Sequence, residues 1–212
     1  MVVCSVRARC LTRYFVPNLC MVSFFLINLS RFVVLIRDGF GSSEYMYFYY
    51  YTDALGTIVL YFSVMAFYQL VFEEMGVSKY LRGASIALLA GTAWFSYMVV
   101  NQHTTQLTTR FVVELSQNLY FVGVVLTYLL WGAVLKLRET RTRIIQLVLA
   151  LGIYFSGSAG AYALRNLVSH PELVKFVPPL MGTFLPLAWA YTFLKVSEEA
   201  RLATARVVAP NR

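Results

Sequence analysis

Four ionisable residues, Arg31, Asp53, Glu114 and Arg165, interrupt otherwise apolar stretches of this 212-residue chain. A lone charge at mid-bilayer costs about 2.5–3.5 kcal/mol even on lenient insertion scales, so each calls for a partner, water or a ligand. Polar neighbours at helical spacing accompany them. Tyr49, Asp53, Gly56 and Thr57 align, with Tyr50 close by; Arg110, Glu114, Gln117 and Asn118 share a face; so do Ser158, Tyr162, Arg165 and Asn166. If these faces converge, Arg31, Tyr49, Tyr50, Asp53, Glu114, Asn118, Tyr162 and Arg165 form a tyrosine-rimmed ligand-binding pocket. Two positive and two negative groups make it nearly neutral, held by pairs such as Arg31–Asp53 and Glu114–Arg165. Its chemistry is binding of a small amphipathic or lipid-derived ligand, or acid–base work on a lipid by Asp53 or Glu114. The competing reading is purely structural. Arg31 and Arg165 can snorkel to headgroups, and Glu114 can pair with Arg110 one turn away. Asp53, short and deep, still needs a partner inside the bundle.

Other catalytic signatures are missing from the sequence. The two histidines, His103 and His170, fall in predicted loops, and neither a GxSxG elbow nor an HExxH helix occurs. Cys4, Cys10 and Cys20 show no CxxC or Cys/His metal spacing, and a structural disulfide is not expected on a reducing side of the membrane. The sequence calls for no metal, no cofactor and no assigned catalytic residue.

The elements that must position these groups are six apolar stretches, roughly 14–36, 45–72, 83–101, 111–135, 144–167 and 176–194. Each meets the requirement of about 20 mostly apolar residues for a crossing. Hydrophobic residues make up 59% of the chain and charged ones 13%, which excludes an ordinary soluble domain. The fold class is all-α, a polytopic transmembrane bundle forming a single domain over 1–212 with a tail at 195–212. Of the 18 Lys and Arg, 13 lie in 1–13, 73–82, 136–143 and 195–212, whereas the opposite loops hold only Arg37, Arg110, Arg165 and Lys175. Basic residues stay in the cytoplasm during insertion, so both termini are expected there, in a bacterial inner membrane. The net charge of +8 then reflects topology and contacts with anionic lipid headgroups, not nucleic acid.

This orientation fixes depth. Arg31 sits about 8 Å and Asp53 about 12 Å below the same outer surface, at the helical rise per residue. All four ionisable groups fall in the outer half. The tyrosine run Tyr45, Tyr47, Tyr49, Tyr50 and Tyr51 at the mouth of the second span reads as an interfacial belt or as a substrate lining. Gly83, Ala87 and Gly91 in the third span, and Gly152, Ser156 and Gly160 in the fifth, form small-residue stripes expected to act as packing seams. Pro17 suits a first helical turn, and Pro186 should kink the last span. No internal repeat of the inverted-repeat transporter kind is found.

Over residues 11 to 100 the chain resembles uncharacterised bacterial multi-pass integral membrane proteins of six or seven helices. The resemblance rests on "RYFVPNL", "LINLSRF", "YMYFYYYTDAL" and "IVLYFSVMAFYQLVFEEM", in that order. It implies no activity. It does imply a further apolar helix ahead of "MVVCSVRARCLTR", which would give seven helices with the topology of many membrane sensors and receptors. The expected function is therefore a non-enzymatic, sensor-like or accessory membrane subunit, with membrane lipids and a separate cytoplasmic or membrane protein as partners. The alternatives are a membrane enzyme on lipid or isoprenoid substrates through Asp53 and Glu114, and a transporter or channel component. The last is disfavoured because no charged residue continues the path through the inner half.

Overall fold

A computed structural model describes residues 12–39, 41–72, 78–101, 107–136, 142–167 and 177–196. They form six helices: α1 (Phe15–Asp38), α2 (Ser43–Val71), α3 (Ser78–Asn101), α4 (Leu107–Lys136), α5 (Thr142–Leu167) and α6 (Val177–Lys195). All six are long and apolar enough to cross a membrane, and no strand occurs among the described residues. The chain is a multi-pass helical membrane protein whose helix limits lie within a few residues of those set by hydropathy. The segment 1–11, the tail 197–212, Cys4, Cys10 and both histidines lie outside the described residues.

Local chemistry sets the one connection described at both ends. Pro17 occupies the first turn of α1, where its missing N–H costs nothing. The helix ends at Gly39, whose φ of +83° favours glycine and whose N–H donates to Leu35 O at 3.0 Å. Three residues later Ser42 Oγ accepts from the Tyr45 N–H at 3.1 Å, capping α2, and Glu44 sits in the first turn against the positive helix end.

Helices α2 and α5 are the centre of the bundle. In their most apolar windows 56% of residues are buried, against 17% in α1 and in α3. Helix α2 packs against α1 and α4, α5 against α4 and α6, and α3 lies outside α4. The exposed flank of α1, including Phe25, Leu26, Leu29, Val33 and Ile36, is the surface such a helix offers to lipid.

Close packing here depends on shape, because lipid is as apolar as the side chains. Among the described glycines the closest approaches are at Gly123, where an added Cβ would overlap the Phe155 ring, and at Gly157, where it would stand 2.6 Å from Met181 Sδ. These are not the stripes singled out by four-residue spacing. Gly160 has nothing within 4 Å of an added Cβ, and Gly152 meets only Thr127 at 3.7 Å. Gly83, Ala87 and Gly91 are exposed on α3, turned away from the bundle. Regular spacing marks a smooth helix face; which face turns inward is decided by the bulky ring that needs the space.

Buried polar groups close the remaining seams. Tyr61 donates to Ser85 O at 2.7 Å, joining α2 to α3, and Tyr68 to Leu126 O at 2.8 Å, joining α2 to α4. At the end where α1 starts and α6 closes, Trp189 Nε1 donates to Leu147 O at 3.1 Å, and the Tyr14 and Phe193 rings meet edge-on at 5.4 Å. Arg143, 4% exposed, donates through Nε and Nη2 to Val196 O at the close of α6, where a cation meets the negative helix end. Helix α6 runs unbroken through Pro186.

Candidate functional site

At the opposite end the helices draw apart around a cleft of about 760 Å³. Its walls come from α1, α2, α4, α5 and α6, including Asn28, Arg31, Tyr45, Tyr49, Tyr50, Asp53, Tyr120, Tyr154, Tyr162 and Gly182. Asp53 lies ten residues into α2, about 15 Å along its axis. The helix rotates it inward together with Gly56 and buried Thr57, as the three- and four-residue spacing requires.

Asp53 is held from three directions. Tyr162 of α5 donates its hydroxyl to Oδ2 at 2.8 Å, and Tyr120 of α4 donates to Oδ1 at 3.4 Å. Arg31 of α1 places Nη2 at 3.9 Å from Oδ1, the long end of an ion pair. The two charged side chains are 17% and 14% exposed, so the pair sits in the wall of the cleft and not at a free surface. Ser116, one turn before Tyr120, is buried beside the Asp53 carboxyl but outside hydrogen-bonding geometry.

Arg31 is strapped to α2 by more than this charge. Its Nε donates to Thr52 Oγ1 at 2.7 Å, Nη2 donates to Tyr49 O at 3.1 Å, and its guanidinium carbon lies 4.2 Å from the Tyr49 ring centroid. Planar guanidinium stacks on an aromatic face while its edges donate, which lysine cannot reproduce. Thr52 can accept because its own proton goes back to the α2 carbonyls of Phe48 and Tyr49. Arg31 therefore points into the bundle and does not snorkel to headgroups. Its Nη1 makes no hydrogen bond among the described residues.

Six tyrosines surround this pair. Tyr45, Tyr49 and Tyr50 form a ring chain on the α2 side, with centroids 6.4 and 6.0 Å apart. Tyr120, Tyr154 and Tyr162 form another on the α4 and α5 side, with Tyr120 6.4 Å from Tyr154 and 5.4 Å from Tyr162.

Of the residues proposed from sequence, Arg31, Tyr49, Tyr50, Asp53 and Tyr162 border the cleft together. Asn118 and Glu114 are not among its lining residues. Asn118 donates to Ser96 Oγ at 3.0 Å, on the α3 side of α4. Glu114, one turn earlier on that face, is half-buried and makes no ion pair among the described residues; Arg110 is exposed. Arg165 belongs to α5, but its side chain, and so the Glu114–Arg165 pair, lies outside what is described.

Tyr120 and Tyr154 were not anticipated. Both look like belt or core residues in apolar helices, and on α4 it is Ser116, one turn before Tyr120, and Gly123, which turns toward the Phe155 ring, that mark the Tyr120 side as inward. Among the described residues no three His, Cys, Asp or Glu side chains are grouped as metal ligands would be. The arrangement offers a carboxylate, a guanidinium, phenol hydroxyls and aromatic faces around an open volume.

Fold and site together define a multi-pass helical membrane protein with a polar, tyrosine-lined cleft at the end opposite the start of α1 and the close of α6. Comparison with protein-family models, curated proteins and solved structures finds no match to the chain.

Proposed function

We propose that this chain is a non-enzymatic membrane subunit, sensor-like or accessory, that takes a small amphipathic or lipid-derived ligand into the cleft. The observation that carries this reading is the joining of Arg31 and Asp53 at 3.9 Å in the wall of a 760 Å³ opening. Cavities of roughly 300–1,000 Å³ with few polar groups in an aromatic lining are the usual form of small-ligand sites. A polar cluster serving structure alone would be expected to close on itself. The distribution of Lys and Arg supports a cytoplasmic position for the termini and therefore an external mouth; the membrane we assign is a bacterial inner membrane. In the sensor-like case it would act with a separate cytoplasmic or membrane protein partner.

Photo-crosslinking tests this reading. A lysophosphatidylethanolamine with a diazirine in its acyl chain, supplied to membranes containing the chain, is expected to attach to peptides carrying Phe32, Tyr49 and Gly182, and excess unlabelled lipid should compete. Label spread evenly over the lipid-facing residues of α1 and α3, without competition, would overturn it.

A second reading draws on the Tyr162–Asp53 contact of 2.8 Å. A carboxyl paired with phenols is a competent acid–base group, so an enzyme acting on lipid or isoprenoid substrates would centre on Asp53. Glu114, away from the cleft lining, would then not be its partner.

A further inference from the structure

The cleft is bounded sideways by α1 and α6, and these two helices scarcely touch. They meet where α1 starts and α6 closes, through Tyr14 and Phe193. At the other end Phe32 and Leu35 of α1 and Pro178 and Gly182 of α6 all line the cleft. Exposed Phe25, Leu29 and Ile36 on α1, and Leu180 and Leu187 on α6, place this gap on the lipid-facing perimeter. Gly182 lines the cleft, and a Cβ added there meets nothing within 4 Å, so a hydrocarbon chain could lie against the α6 backbone.

Beyond the gap stand two opposite charges. A purely anionic head would meet the Asp53 carboxylate beside Arg31, and a purely cationic head would meet the guanidinium beside Asp53. A head bearing both signs a few bonds apart meets neither penalty. Arg31 keeps Nη1 without a hydrogen bond among the described residues, in the planar form that suits a phosphate oxygen. The rings of Tyr45 and Tyr50, which line the cleft on either side of the Tyr49 ring taken by Arg31, suit an ammonium group.

Depth is compatible. Helix α2 has 29 residues, about 43 Å, so some 6 Å extends beyond each side of a hydrocarbon layer about 30 Å thick. Asp53 then lies roughly 9 Å below the boundary, within reach of a head lowered into a polar cleft.

We infer that the cleft admits a zwitterionic phospholipid sideways from the leaflet at that end, through the gap between α1 and α6, with its phosphate on Arg31 and its ammonium among the α2 tyrosines and Asp53. This rests on the ligand-binding reading above and names the ligand class. Neither charge of the pair is spare on its own, so recognition needs both signs in one head.

The test uses the full chain released from detergent for native mass spectrometry, with equal amounts of dioleoyl phosphatidylethanolamine and dioleoyl phosphatidylglycerol. Retention of the ethanolamine lipid should exceed that of the glycerol lipid by about tenfold, the worth of one charge-assisted hydrogen bond. Arg31→Gln should abolish the preference. Because Arg31→Gln also cuts α1 from α2, Gly182→Phe is the companion: its side chain has room, leaves the charged pair untouched, and should reduce retention of the ethanolamine lipid while the melting temperature holds. Equal retention of the two lipids, still lost in Gly182→Phe, would overturn the zwitterion and leave an amphiphile site standing. Retention of both lipids unaffected by either variant would overturn the lateral entry and the ligand site together.

Discussion

The Tyr162 hydroxyl donates to Asp53 Oδ2 at 2.8 Å across 109 residues of sequence, tying α5 to α2. This contact is shorter than the Asp53–Arg31 approach of 3.9 Å. The carboxyl is thus held chiefly by a hydrogen bond, with the ion pair as its longer-range support. A phenol and a guanidinium from different helices let one short acid remain below the membrane surface.

Removing that hydroxyl while keeping the ring measures the tie. Tyr162→Phe is expected to destabilise the protein by about 0.5–1.5 kcal/mol, the usual net worth of one intramolecular hydrogen bond within or outside membranes. Tyr120→Phe should cost less, since its contact is 3.4 Å. Thermal unfolding in detergent reads both. Equal losses would mean that Asp53 does not discriminate between the two phenols.

The glycines separate along the same lines. Gly123→Ala should destabilise by about 1–3 kcal/mol, because its methyl would displace the Phe155 ring or the helix axis. Gly91→Ala, with nothing within 4 Å, should be neutral or raise helix stability by up to about 1 kcal/mol. Chemical denaturation of the two variants side by side decides it, and the reverse order would contradict the α4–α5 packing.

Much of this arrangement is legible in the sequence, and the limits have physical causes. Six helices follow from length and apolarity alone, since a bilayer demands both. The Arg31–Asp53 pair follows from matching depth on two adjacent antiparallel helices and from the cost of leaving Asp53 unpaired. Helix rotation does not follow. Glu114 and Asn118 carry the most polar face of α4, yet Asn118 bonds to Ser96, while the Tyr120 side turns to Asp53. Local polarity cannot choose between two inward-facing sides when α4 has neighbours on both. The glycine stripes mislead for the same reason: spacing defines a face, and only the facing Phe155 or Met181 tells which glycine is needed.

Helix rotation gives a prediction of its own. Glu114 stands off the cleft, so Glu114→Gln should leave affinity for an amphiphile within about twofold, the range of substitutions that touch no special feature. Fluorescence titration with a dansylated lysophospholipid checks this. A tenfold loss would bring Glu114 into the site and redraw the orientation of α4.

Orientation in the membrane rests on charge. Reporter fusions after residue 140 and at the C-terminus should both give the cytoplasmic signal, since Lys136, Arg138, Arg141 and Arg143 flank the first and Lys195, Arg201, Arg206 and Arg212 the second. An external signal at either would overturn this orientation, and external signals at both would turn the cleft toward the cytoplasm.

The most direct measurement is the dissociation constant of that dansylated lysophospholipid for the wild type and for Asp53→Asn, taken with the expression yield of each. Asparagine keeps the size and removes the charge. The expected result is a loss of affinity of about tenfold or more, from one charged contact, with yield and melting temperature close to wild type. Loss of folding and yield together, with the surviving protein binding normally, would make Asp53 a structural partner and contradict the ligand site.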